Sequence, residues 1–235
     1  MLNRARLIPL MLVVLTSLIK TFEARAQTDQ QMFIFQIDGN NYTKKSYNKS
    51  SQLMSSQLFK VGKVNKYENK YQLEINIYEY NKNGLMEDSS STTFICKPSQ
   101  GIVLMNVFPF ADANSNKTVQ VELASGDHIY PTVWKVGEKI DDHSYSLSIE
   151  GGLLEVVGTK SKIKVFNRQI TKSDPEGITY TIASKVQIKS YMFGVNVNTL
   201  NFSIEEIINP KKGIIRQQFT EESGEYFIIN LQNPQ

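Results

Sequence analysis

The chain has one cysteine in 235 residues, Cys96, so no internal disulfide can form even in an oxidising compartment. Stability must come from a packed core. Cys96 sits in "TTFICKP", a β-branched and aromatic run, and is expected to be a buried, unreactive thiol. Histidine is almost as scarce, with His128 and His143 the only two, too far apart for the short His-x-x-x-His spacing of a zinc site. There is no G-x-S-x-G elbow, no H-E-x-x-H pair, no D-x-D-x-D-G calcium loop and no Gly-rich phosphate cradle leading into a helix. The adjacent carboxylates Glu205-Glu206 and Glu221-Glu222 would face opposite sides of a strand, cannot share a substrate, and are expected to be solvated. These absences leave no catalytic residue, no metal ligand and no cofactor to assign. They point away from an enzyme.

One enzymatic alternative stays open, a metal-assisted hydrolase centred on His128, His143 and Asp142. Asp127 and Asp141 could add oxygen ligands. Against it, "SGDH" and "DDH" read as turn ends, where Asp side chains accept hydrogen bonds from backbone amides.

Charge of one sign is also missing once the N-terminus is set aside. Residues 1–26 read as an export signal: Arg4 and Arg6, an apolar stretch from Leu7 to Ile19, then Ala24-Arg25-Ala26, with cleavage expected before Gln27. That stretch is shorter than the roughly 20 residues a membrane-spanning helix needs, and no cysteine stands near the cleavage point to carry a lipid. Of 26 basic and 23 acidic residues, four basic (Arg4, Arg6, Lys20, Arg25) and one acidic (Glu23) lie in this segment, which leaves 22 of each sign. Nucleic acid is therefore not an expected partner, and no stable membrane span is expected after cleavage. Asn-x-Ser/Thr sequons at Asn41, Asn48, Asn116 and Asn201 matter only in a glycosylating host.

What the sequence does have is alternation. In "YQLEINIYEY", Tyr71, Leu73, Ile75 and Ile77 point one way and Gln72, Glu74 and Asn76 the other, as in a strand with one wet face. The run ends at "NKNG", where Asn83-Gly84 is expected to supply positive φ for a tight turn, and "LMEDSSSTTFICK" returns as the partner strand. "GIVLMNVF", "KTVQVEL", "SKIKVFNRQI", "GITYTIASKVQIK", "TLNFSIEEII", "GIIRQQF" and "GEYFIINL" continue the series, separated by "DPEG", "NPKKG" and "EESG" turns. Residues 109–117 read as a polar loop. No helical stripe and no fixed repeat is present. The fold class is mainly β: one domain over residues 27–235, about a dozen antiparallel strands in a strongly curved sheet or incomplete β-barrel.

Aromatics are plentiful, with 12 Phe, 11 Tyr and a single Trp. On a curved sheet they could line a groove for a ligand or fill the core. The stretch "YPTVWKVGEKIDDHSYSLSI" concentrates the chemistry: Tyr130, Trp134 and His143 are the candidate ligand-binding residues. "YPTVWKV" reads as an edge strand because Pro131 lacks a donor, followed by a bend at Gly137, an Asp-rich turn and the strand "SYSLSI".

Gly126-Asp127, Tyr130-Pro131, Trp134, Val136-Gly137, Asp141-Asp142, "VFNRQI" with Asn167-Arg168, and "GIIRQQFTEESGEYFIINL" together resemble the pattern of the TapB-like family of exported β-rich proteins of Bacteroidetes type, over about residues 125–231. The chain departs from it at "DPEGITYTIASKV", where the family carries a Pro-Ala-Gly-Thr-Phe element. The resemblance implies a secreted, β-rich, single-domain protein and brings no catalytic residue.

The reading that follows is a secreted or periplasmic, non-enzymatic binding or scaffold protein of the bacterial envelope, soluble after cleavage near Ala26. Its concave sheet face would hold a small apolar or glycan-like ligand. The alternative partner is another envelope protein, engaged by strand-edge pairing.

Overall fold

The computed structural model describes residues 37–96, 117–125, 130–131, 134–150 and 160–232. The expected signal segment, "GIVLMNVF", His128 and Asp127 lie outside the described residues. No described residue is helical.

Among the described residues thirteen strands form one sheet: β1 (Asn41–Tyr47), β2 (Leu53–Val61), β3 (Asn65–Tyr67), β4 (Lys70–Asn81), β5 (Met86–Cys96), β6 (Lys117–Ser125), β7 (Lys139–Ile140), β8 (His143–Glu150), β9 (Lys160–Ser173), β10 (Tyr180–Met192), β11 (Val195–Asn209), β12 (Gly213–Glu221) and β13 (Tyr226–Gln232). The sheet closes. Pairing runs β10-β11-β12-β13-β1-β2-β4-β5-β6-β8-β9 and returns from β9 to β10, giving an 11-strand barrel with β3 and β7 as short additions. An odd ring cannot alternate direction all the way round, so at least one neighbouring pair must be parallel. That pair is β5–β6, with Thr92 opposite Lys117 and Ile95 opposite Gln120. A parallel pair needs a crossover of a dozen or more residues, and residues 97–116 are long enough to supply it. The expected curved sheet thus goes a step further, to full closure, with mixed rather than wholly antiparallel pairing.

Alternation decides which face points in. On β4, Tyr71, Leu73, Ile75 and Ile77 are fully buried while Gln72 and Glu74 are exposed, each large apolar side chain contributing about 1.5–3 kcal/mol by leaving water. Phe59, Phe94, Phe219 and Ile229 fill the lumen from other strands, whereas Lys160, Lys162 and Lys164 of β9 face out. This polarity is the reverse of a membrane-spanning barrel, whose outward band is apolar.

Register defines two ends. The near end carries Tyr71, Cys96, His143 and the turns after β9 and β11. The far end carries the turns after β1, β4, β10 and β12. The β4–β5 hairpin forms as read, but only Gly84 adopts positive φ (79°). The turn spans more residues than Asn83-Gly84, with the Asn81 side chain accepting from the amides of Asn83 and Leu85. "YPTVWKV" is a correction: Tyr130, Pro131, Trp134 and Lys135 are not in a strand. Closure also pairs the strand edges around the ring, which weakens the strand-pairing alternative; open rungs persist on β11 before Phe202, on its β12 side.

Candidate functional site

A bulge builds the site. Along β9, Ile163 and Val165 point into the lumen, and strict alternation would put Asn167 there next. Instead Asn167 adopts a left-handed conformation (φ 54°), the register with β10 slips between Ala183 and Lys185, and Arg168 turns inward, 2 % exposed. An extra residue of this kind re-aims the side chain that follows it. The Asp-rich turn holds the bulge: the Asp142 carboxylate accepts the Asn167 amide at 3.0 Å, and Arg168 donates from Nη1 to the Asp141 carbonyl at 3.0 Å. β7 lies alongside, Ile140 opposite Arg168. Asp141 and Asp142 are therefore turn residues, as "DDH" suggested, but the amide that Asp142 binds belongs to another strand.

Facing Arg168 from the other side of β10 is Glu206 of β11, 2 % exposed. Glu205 behaves as expected for a surface carboxylate and lies 3.9 Å from Arg216. Glu206 does not, and the expectation that both are solvated is corrected for it. Its Oε1 accepts from Gln217 Nε2 at 2.6 Å, Gln217 being its partner on β12. Burial pushes the Glu206 carboxyl up, opposed by the positive charge of Arg168 and by the Gln217 bond. Arg168 and Glu206 influence each other without an ion-pair contact.

Around this pair the near end is aromatic. Tyr145, 1 % exposed, follows His143 on β8 with the two rings stacked at 6.1 Å. Tyr130 lies with its ring 5.4 Å from the Arg168 guanidinium carbon, and stacks on Trp134 at 6.2 Å. Trp134 in turn tilts against Tyr180, at 5.2 Å, where β10 begins. Tyr130 and Trp134 are half-buried and packed on the core, so they close the near end of the lumen like a cover. Burial, with the Glu206 charge adding to it, holds the hydroxyls of Tyr130 and Tyr145 well above the ordinary range. Burial, with the Arg168 charge adding to it, pushes His143 down to about 3, so its imidazole is neutral at physiological pH.

Five buried polar atoms here have no hydrogen-bond partner among the described residues: Arg168 Nε and Nη2, the hydroxyls of Tyr130 and Tyr145, and Gln217 Oε1. Unpaired buried donors and acceptors cost about 1–3 kcal/mol each, so their convergence in one place is informative. Nε and Nη2 share one edge of the guanidinium, the fork that receives two oxygens of a carboxylate or phosphate.

All three sequence candidates, Tyr130, Trp134 and His143, come together at this end. Arg168, Glu206, Tyr145 and Gln217 were missed as site residues; Arg168 and Gln217 lay in runs read as strands and as part of a family likeness, and an arginine within an otherwise alternating run was the available signal. Among the described residues no three His, Cys, Asp or Glu side chains gather as metal ligands, and Asp142 is engaged at the bulge. Cys96 is buried, its thiol pushed up to about 12 by burial.

No protein-family model matches the chain, and no curated protein matches it. Among solved structures, an exported protein of YmcC-like fold from Bacteroides fragilis is similar at 16% identity and TM-score 0.45, covering 83% of this chain and 94% of that one. A lipoprotein from Parabacteroides distasonis is similar at 15% identity and TM-score 0.46, covering 85% of this chain and 97% of that one. Likenesses of this degree carry no argument about function, and the TapB-like resemblance gains no family match.

Proposed function

We propose that this chain is an exported, non-enzymatic binding protein of the bacterial envelope whose barrel holds a small carboxylate-bearing molecule at its near end. The observation that carries the proposal is the Nε/Nη2 edge of buried Arg168, unpartnered among the described residues, with the Tyr130 ring 5.4 Å from the guanidinium carbon and the buried hydroxyls of Tyr130 and Tyr145 at the same end. An arginine tethered by its third nitrogen and presenting a free fork is prepared for a planar anion. The ligand class shifts from apolar or glycan-like toward anionic, with acidic sugars inside that class. The rest of the lumen is filled by aromatic and aliphatic side chains, which suits a small ligand. Export is supported by the basic, apolar and small-residue order of residues 1–26.

Calorimetric titration with acetate, citrate and glucuronate tests the reading. At least one should bind, and Arg168→Met should abolish binding. No heat from any carboxylate, or equal binding by Arg168→Met, would remove the proposal.

A further inference from the structure

The far end carries a second feature that the lumen does not use. The β10–β11 hairpin projects beyond β12, whose last rung pairs Glu221 with Phe202, and turns at Phe193-Gly194 between the paired residues Met192 and Val195. Both turn residues have positive φ, 51° and 79°. A two-residue turn of this kind prefers Asn or Asp at its first position, and a bulky aromatic in the left-handed region is an outlier that costs stability. Phe193 is nonetheless there, 76% exposed, with Val195 at 65% and Val197 at 56%.

Behind this apolar tip the outward face is basic. Lys160 stands opposite Tyr191, and Lys162 directly opposite Lys189, with the Lys162 ammonium 5.3 Å from the Tyr191 ring. On β8 the residues opposite Lys160, Lys162 and Lys164 are Ser148, Ser146 and Ser144. Like charges opposed across strands are destabilising, and no carboxylate lies opposite these lysines on β8, β10 or β11. The acidic residues Glu221, Glu222 and Glu225 lie at the β12–β13 turn, roughly 20 Å back from the tip at about 3.3 Å per residue. The same spacing puts Lys162 and Lys189 about 13 Å behind Phe193.

We infer that the hairpin tip docks peripherally on an anionic lipid surface. Phe193, Val195 and Val197 enter the acyl boundary by the 5–10 Å typical of interfacial segments, which sets Tyr191 at headgroup depth, where tyrosine is favoured, and Lys160, Lys162 and Lys189 against lipid phosphates. The combination selects a membrane over a purely polar polyanion, because a polyanion gives the apolar tip nothing to bury.

The test uses the protein as processed on export, its N-terminus read by mass spectrometry, with vesicles of phosphatidylcholine alone or mixed with phosphatidylglycerol. Co-sedimentation is expected with the anionic vesicles, falling about ten-fold in Phe193→Asn and about five-fold in Lys162→Gln. Asn suits the turn better than Phe, so loss of folding is not a competing explanation. Phe193→Trp should add an emission that blue-shifts on anionic vesicles and is quenched by brominated lipid. Absence of co-sedimentation, equal binding by Phe193→Asn, or an unshifted Phe193→Trp emission would overturn the inference. So would self-association through the tip, seen as a dimer that Phe193→Asn dissociates without vesicle binding, which would assign the hairpin to strand pairing.

Discussion

The Asp142 carboxylate accepts the Asn167 backbone amide at 3.0 Å, joining the turn before β8 to the bulge in β9. The bond links two elements far apart in the chain, and the side chain it positions, Arg168, belongs to neither partner. Asp142→Ala should lower stability by about 1 kcal/mol, the ordinary worth of one such hydrogen bond near the surface, and should weaken carboxylate binding by releasing the bulge. Asp142→Asn, which keeps an acceptor oxygen, should restore most of both. Thermal melts and calorimetry on the two variants check this; an alanine variant that binds as well as wild type would show that the bulge stands without its cap.

The acid side of the stability profile should depend on His143. Its folded-state value is held down to about 3 against an ordinary 6.5, so above pH 6.5 neither state is protonated and its contribution is fully present. As pH falls from 6.5 toward 3, the unfolded chain takes up a proton that the folded one refuses, and stability declines by roughly 1.4 kcal/mol per pH unit. Glu206 works in the opposite sense, because its carboxyl is raised: its contribution is present below the unfolded value and is lost as pH rises. His143→Phe should flatten the decline below pH 6.5 and Glu206→Gln should steepen it, measured as unfolding midpoints between pH 3 and 8.

Trp134 is the only tryptophan and stacks on Tyr130, which covers Arg168. Its fluorescence should therefore report occupancy of the near end, changing in intensity when a carboxylate binds wild type and staying constant in Arg168→Met. Trp134→Ala should cost about 1–3 kcal/mol, as expected for truncating a half-buried aromatic.

Cys96 should resist thiol reagents in the native protein and react only on unfolding, since burial both blocks access and keeps the thiol protonated. Rapid native labelling by a thiol-disulfide reagent would contradict its placement on the lumen side of β5.

Much of the barrel was legible because a strand with one wet face writes its orientation into alternate residues. Tyr71, Leu73, Ile75 and Ile77 show it plainly, and β8 through β13 follow the same rule. β1 and β2 escaped notice because "NYTKKSY" and "LMSSQLFKV" are rich in Ser, Thr and Lys, with apolar residues at only some inward positions. The segment around Trp134 looked like a strand for the converse reason, since "YPTVWKV" is rich in β-branched and aromatic residues, whereas Tyr130 and Trp134 pack against the core outside any strand.

Arg168 and Glu206 show the limit most clearly. Alternation alone sends Asn167 inward and Arg168 out, and only the left-handed backbone at Asn167, capped by Asp142 from another element, reverses this. Glu206 points inward by simple alternation with Ile204 and Ile208, yet its charge makes a solvated position the natural expectation; what makes burial tolerable is Gln217 and Arg168, brought in by β12 and β9. The sequence by itself determined the mainly β class, the absence of disulfides and the inward face of most strands, because these follow from residue type and period two along a local run. Closure into an odd-numbered barrel, the parallel β5–β6 pair and the meeting of Arg168 with Glu206 were decided only by tertiary structure, because each depends on which strand lies beside which.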